Sequence, residues 1–188
     1  MGRGRSGIGA GKSNGDAGKG SNGIAAALKL AEDRIRGNPT ESAIAFDDDG
    51  TILFDTSQGE ETSVTISPAL QMKAYGKTVT HNHPHGYYFS SDDLNVMELM
   101  NLKQMRATTP DGRAFVLERK AGYSNIGLLR SAYDGQIIST ARKAANIAYD
   151  PKLSTEEFNH RAALEHTKIL NAWLKDNAPN YGFTFREE

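Results

Sequence analysis

The stretch THNHPHGYYFSSDD, residues 80–93, carries three of the chain's five histidines within five residues, and two serines and two aspartates close it. Asn, Pro, Gly, Ser and Asp are all turn formers, so a plain polar loop would use many of the same residue types. The histidines ask for more than a loop. KTVT, just before them, reads as a short strand, and side chains two apart on an extended backbone point to the same side. His81 and His83 therefore form a natural ligand pair, stiffened by Pro84, and an aspartate a few residues on can supply a third ligand. Two imidazoles and one carboxylate suit a zinc ion (Zn2+) that keeps one position open, the arrangement of a catalytic site.

Outward from this stretch, the pattern is one of alternating elements. Residues 24–37 are rich in Ala and Leu and end at Gly37 before Pro39, which predicts a helix with a stop signal. ESAIAF, DDDG and TILFDT predict strand, turn and strand, with Gly50 in the turn. The three consecutive aspartates lack the spacing of a calcium loop. Residues 62–66 read as a third strand and PALQMKAYG as a short helix. After the histidines, Ser90 or Ser91 is placed to cap a helix, with Asp92 and Asp93 in its first turn, where acids favour the dipole. Leu94, Met97, Met100 and Met105 have near-helical spacing and read as core. RAFVLER is a strand, and residues 131–149 and 155–177 read as helices, with Trp173 anchoring the last. The fold class expected is mixed α/β (α+β): a mixed sheet flanked by helices, with extra helices at the C-terminus. The division expected is a flexible Gly-rich tail over 1–23, a metal-binding core over 24–120 and a mostly helical extension over 121–188, packed on the core.

Composition narrows the function classes. The 188 residues carry 22 Lys+Arg against 23 Asp+Glu, for a net charge of -1, which argues against binding nucleic acid by phosphate neutralisation. No cysteine is present, so disulfides, thiolate metal sites and a cysteine nucleophile are excluded. No apolar run is long enough to cross a bilayer and no secretory h-region opens the chain, which gives a cytoplasmic protein as the expectation; delivery as an effector or toxin domain fits the same features. Residues 1–23 hold nine of the 19 glycines. GIGAGKS within them departs from a phosphate-binding loop, because Ser6 stands where the motif needs glycine and no strand precedes it. His160 and His166, six apart on a predicted helix, point about 240° apart, cannot pair as ligands and read as surface residues.

The spacing H-x-H-P followed by S-x-x-D resembles the signature of the JAMM (JAB/MPN) zinc metalloproteases, and the H-N-H-P-x-G form is similar to their bacterial RadC-like branch. The resemblance covers about half the chain, residues 24–119. It implies that His81, His83 and Asp93 hold zinc, with Asp92 the alternative third ligand, and that Ser90 stabilises the oxyanion. It also implies an upstream glutamate as general base. Glu41, which opens the first strand after the first helix, occupies that place; Glu60 and Glu61 are its rivals. Five residues separate Pro84 from Ser90 where the family usually has six or seven, so the loop has to turn tightly at Gly86. His85 then reads as an outer contact or an exposed loop residue, and Tyr87, Tyr88 and Phe89 as groove lining or loop cover. The activity implied is hydrolysis of an amide or isopeptide bond by a zinc-activated water, on a protein or peptide substrate such as one tailed by a ubiquitin-like modifier. The alternatives are a non-catalytic JAMM-like interaction module and a RadC-like protein associated with DNA repair, mobile elements or phage.

Overall fold

The structure, a computed structural model, describes residues 19–56 and 63–188. Helix α1 (Lys19–Ile35) leads into the hairpin of β1 (Ala43–Phe46) and β2 (Ile52–Thr56). A short α2 (Pro68–Lys73) and β3 (Thr78–Asn82) follow, then α3 (Ser91–Leu99), β4 (Gln104–Thr108) and β5 (Ala114–Arg119). Two long helices, α4 (Ile126–Ala148) and α5 (Thr155–Asn177), precede a last strand, β6 (Phe183–Glu187). The six strands form one mixed sheet in the order β2-β1-β3-β4-β5-β6. Only β3 and β4 run parallel, joined by α3; the other neighbours are antiparallel. The fold is thus the expected mixed α/β class.

Alternation along the strands sorts side chains onto two faces. Ile44 and Phe46 pack against Leu28, Ala31 and Ile35 of α1. Ala43, Ala45, Val79, Met105, Phe115 and Leu117 face the other way and meet Leu94 and Met97 of α3, Tyr133 of α4 and Leu170 and Leu174 of α5. Beneath α1 lies a buried polar group: Arg106 donates from Nε to Glu32 at 2.5 Å, and the Thr80 hydroxyl donates to the same oxygen at 3.1 Å. None of the helices is long and apolar enough to cross a membrane, among the described residues.

Several sequence expectations need correction. Helix α1 begins at Lys19, inside the stretch read as tail; residues 1–18, with the GIGAGKS segment, lie outside the described residues. Residues 63–66 are not a strand, and Thr62 lies outside the described residues. Val64 and Ile66 pack on the core without joining the sheet, whose edge is β2. The helix after the histidines stops at Leu99, and Asn101 takes a left-handed φ of 47°. Met105 then reaches the core from β4. The five-residue step from Met100 to Met105 marks this break, since a helical face recurs at three or four. Helix α4 starts at Ile126, capped by Asn125, five residues before the expected Ser131.

The division at residue 120 does not separate two packing units. Strand β6 pairs with β5 along its whole length, and Phe183 and Phe185 join the central core together with Leu170 and Leu174. Trp173 is partly buried against that core, 5.9 Å from the Tyr133 ring. Entry to β6 depends on Gly182, at φ 83°, where a Cβ would come within 2.1 Å of the Tyr123 carbonyl oxygen.

Candidate metal centre

The site sits at the carboxyl end of β3, where β3 passes over to its parallel neighbour β4 through α3. In open α/β sheets such strand ends are the usual place for ligands. His81 is the fourth residue of β3, paired with Ala43 on one side and Ala107 on the other. His83 lies just past the strand, its backbone N–H donating to the Thr108 carbonyl at 2.8 Å. The chain reverses at once: the Gly86 N–H donates to the His83 carbonyl at 2.9 Å, and Gly86 has φ 72°. This is the tight turn that the short loop requires.

The His83 Nδ1–H donates to the Tyr87 carbonyl at 2.9 Å. A carbonyl only accepts, so Nδ1 carries a proton and Nε2 faces the cluster. Such an outer hydrogen bond fixes tautomer and ring orientation in metal-binding histidines. Phe89 is fully buried beneath both imidazoles, at 6.3 and 6.5 Å between ring centroids, so it is core rather than groove lining. Its carbonyl accepts from the Tyr133 hydroxyl at 2.9 Å, which ties the loop to α4.

Ser90 caps α3 in a reciprocal capping box with Asp93. The Asp93 N–H donates to Ser90 Oγ at 3.1 Å, and Asp93 Oδ2 accepts from the Ser90 N–H at 2.6 Å and from the Ser90 hydroxyl at 2.8 Å. This cap swings the Asp93 carboxylate back over the strand end. His81 Nε2 lies 3.0 Å from Asp93 Oδ1, His83 Nε2 lies 3.3 Å from Asp93 Oδ2, and the two Nε2 atoms are 2.8 Å apart. These three residues form the only such group among the described residues that is able to hold a metal ion. Asp92 is exposed and stands outside the group.

Does zinc suit this group? Tetrahedral zinc with ligands at about 2.0–2.2 Å spaces its donors about 3.3–3.5 Å apart. The donors here converge within 2.8–3.3 Å, so a shift of a few tenths of an ångström accommodates the ion. Two imidazole nitrogens with one carboxylate also match its chemistry. The residues fit.

Burial disfavours charge on His83, but the hydrogen bond and charge of Asp93 outweigh it and raise the ring to about 9. Burial alone would raise Asp93; the two histidines instead hold it well below the usual carboxylate range. Protonated His83 thus stabilises the metal-free fold below pH 6.5, and that contribution fades as pH rises through about 9. The Asp93 contribution is present above 3.8 and fades as acid titrates its depressed native pKa. In the presence of a chelator, the melting temperature is expected to fall between pH 6.5 and 9, while zinc affinity rises over the same interval as the proton leaves. Thermal scans at pH 6, 7.5 and 9, with and without zinc, measure both; flat curves would contradict the proton assignment.

Glu41 precedes β1 and reaches the same place by register. Ala43 pairs with His81, and the Asn82 N–H donates to the Ser42 carbonyl at 3.3 Å, so Glu41 comes level with His83. It lines a narrow cavity of about 90 Å3 with His81, Ser90 and Asp93, walled by Val64, Ile66 and Val96. It also lines a second of about 200 Å3 with His83, His85, Tyr87, Tyr88 and Ser90. Burial pushes the Glu41 carboxyl up, partly offset by His81 and His83. Glu60 and Glu61 lie outside the described residues. His85 is exposed and stacks on Tyr87 at 5.8 Å.

A wider concavity of about 580 Å3 lies on the opposite, α1-covered face. Its charged residues are largely paired with one another, as in Arg106 with Glu32 and Glu188 and Arg186 with Glu118, so it carries no comparable chemistry. His160 is exposed as expected, but His166 is buried. The His166 Nε2 is 3.0 Å from the Thr140 hydroxyl, and its ring meets Tyr88 edge-on at 5.1 Å, so it serves packing between α4, α5 and the loop. Phe89 and Tyr133 as supports of the site, and Asn82 between the two histidines, were not assigned from the sequence. Only the period of two, which puts Asn82 on the reverse face, hints at its separate task. Comparison with known protein families, with curated proteins and with solved structures returned no match.

Proposed function

We propose that the chain is a zinc-dependent hydrolase of amide or isopeptide bonds, acting on a protein or peptide substrate. One observation carries the reading: within the His81–His83–Asp93 donor set, His81 and Asp93 share one cavity with a desolvated Glu41, and His83 shares a second cavity with it. The JAMM-type order of these residues along the chain supports it too.

When bound, zinc supplies Lewis acidity, polarising a carbonyl and lowering the pKa of water towards about 7. His81, His83 and Asp93 hold the ion, and Tyr87 orients His83 through its carbonyl. Glu41, with its basicity raised by burial, accepts the proton of the attacking water and returns it to the departing amine. The aromatic pair His85 and Tyr87 lines the second cavity, beside Glu41 and His83.

The role implied for Ser90 is revised. Its single hydroxyl proton goes to Asp93 Oδ2, so in this arrangement the residue positions a ligand rather than facing an oxyanion. Ser90→Ala is expected to cost about 1 kcal/mol of stability through the lost cap and about 10- to 100-fold in zinc affinity. Turnover should recover at saturating zinc. A deficit of about 100-fold or more persisting at saturation would return Ser90 to the oxyanion role. The reading as a whole is tested by zinc analysis of the purified protein, followed by cleavage screens with peptide libraries and isopeptide-linked conjugates, Glu41→Gln serving as the control.

A further inference from the structure

The residue between the two histidines faces away from the cluster, and every polar atom of its side chain is used. Asn82 is fully buried. Its Oδ1 accepts from the Ser42 N–H at 2.7 Å, and its Nδ2 donates to the Thr40 carbonyl at 3.1 Å and the Asn38 carbonyl at 3.3 Å. All three partners belong to the connection between α1 and β1, and they bracket Glu41 on both sides. This connection contains Pro39 and has not yet entered the sheet, which begins at Ala43. Apart from the Ser42 carbonyl, which accepts from the Asn82 N–H, its backbone groups lack the regular ladder that holds the histidine strand. Ser42 is fully buried as well, and its hydroxyl accepts from the Asn38 side-chain amide at 3.1 Å.

We propose that Asn82 is a positioning residue for the base: its side-chain amide clamps residues 38–42 and so holds Glu41 level with His83 at the metal cluster. The proposal rests on the hydrolase reading for its catalytic consequence, but the clamp itself is independent of it. One strand segment then performs two tasks on two faces. His81 and His83 present the ligands on one side, and Asn82 fastens the base-bearing segment from the other. Asparagine meets the requirement because it offers an acceptor and two donors in one plane. Aspartate would set a carboxylate against two carbonyl oxygens, and serine would be too short to span three partners.

The test compares wild type, Asn82→Ala and Asn82→Ser by site-resolved amide hydrogen exchange, zinc titration and turnover. In Asn82→Ala the Ser42 amide is expected to exchange about ten- to a hundredfold faster, while amides of the β3–β4 ladder keep their protection. Zinc affinity should stay within about threefold, since no ligand is touched and outer partners of the ligands are intact. On any amide substrate cleaved by wild type, kcat should fall about 100-fold with KM nearly unchanged, the loss expected when a catalytic group is misplaced by about 1 Å. In a Glu41→Gln background the same substitution should cost nothing more, because it acts only through the base. Unchanged exchange at Ser42 overturns the proposal, as does a loss of zinc affinity equal to that of His81→Ala or an effect on kcat that adds fully to Glu41→Gln. If Asn82→Ala fails to fold, Asn82→Ser serves. Its neutral hydroxyl is too short to span the three partners, so the variant should show the same selective change, and a wild-type exchange pattern in it counts against the clamp. Absence of zinc in wild type would defeat the hydrolase reading, and the exchange measurement would still judge the clamp.

Discussion

Replacement of His81 by alanine is expected to reduce bound zinc from about one ion per chain to less than about a tenth, with affinity falling by more than the 10- to 100-fold typical of outer-shell changes. Among the described residues three side chains form the donor group, so the loss of one leaves His83 and Asp93 alone. The variant has a second consequence that does not involve zinc. Asp93 is held ionised by its contacts with His81 and His83 together, and removing His81 takes one of these two partners from a largely buried carboxylate. Breaking such a pair costs about 3 kcal/mol. For a chain of this size that is roughly 10 °C in melting temperature, visible even with chelator present. Zinc analysis together with melting curves separates the two effects. Equal zinc in wild type and variant, or none in either, would remove the metal centre as described. Zinc lost without any fall in the chelated melting temperature would mean that the coupling to Asp93 is weaker than the geometry indicates.

Glu41→Gln is expected to behave in the opposite sense. Hydrolysis should fall by about 100- to 10,000-fold, the usual contribution of a positioned general base, while zinc remains bound within about threefold because no ligand is altered. Stability should hold or rise. Burial lifts the Glu41 carboxyl above its ordinary value, so at neutral pH the fold carries a charged group that its surroundings disfavour, and a neutral amide removes that cost. A residue that lowers stability while serving activity is a common signature of a functional site. The acid limb of the pH–rate profile should also move, since in wild type it tracks a carboxyl titrating above 4.5. Turnover unchanged in Glu41→Gln would exclude this residue as the base and direct attention to Glu60 and Glu61. A variant that loses zinc as well would place Glu41 among the ligands instead.

Much of the site was legible because its signals are local. The period of two put His81 and His83 on one side; the Ser90/Asp93 spacing matched a helix cap; Pro84 and Gly86 announced the reversal. Each of these follows from backbone geometry within a few residues, and each recurs in the structure. The elements misjudged were those whose identity depends on a partner far along the chain. Residues 63–66 look like a strand, but no neighbour hydrogen-bonds them into the sheet. GFTFRE at the C-terminus is a strand because β5 offers an open edge, a fact stored more than sixty residues earlier. Met105 fits a loose helical spacing and yet reaches the core from β4, since the apolar side chain satisfies the core equally well from either backbone. His166 reads as a surface residue until Tyr88 and Thr140 enclose it.

The amino-acid sequence by itself determined that His81 and His83 share one side and that a cap carries Asp93, because spacing along one short segment sets both; composition excluded cysteine chemistry, and the alternation of elements along the chain indicated the mixed α/β class. Tertiary structure alone decided which carboxylates meet the histidines: Asp93 rather than Asp92 by the direction of the first helical turn, and Glu41 by the register of β1 against β3. It also decided that Asn82, indistinguishable in the sequence from any turn-forming asparagine, fastens the segment on which Glu41 stands. Register between strands more than thirty residues apart arises from pairing and burial over the whole sheet, and no local pattern encodes it.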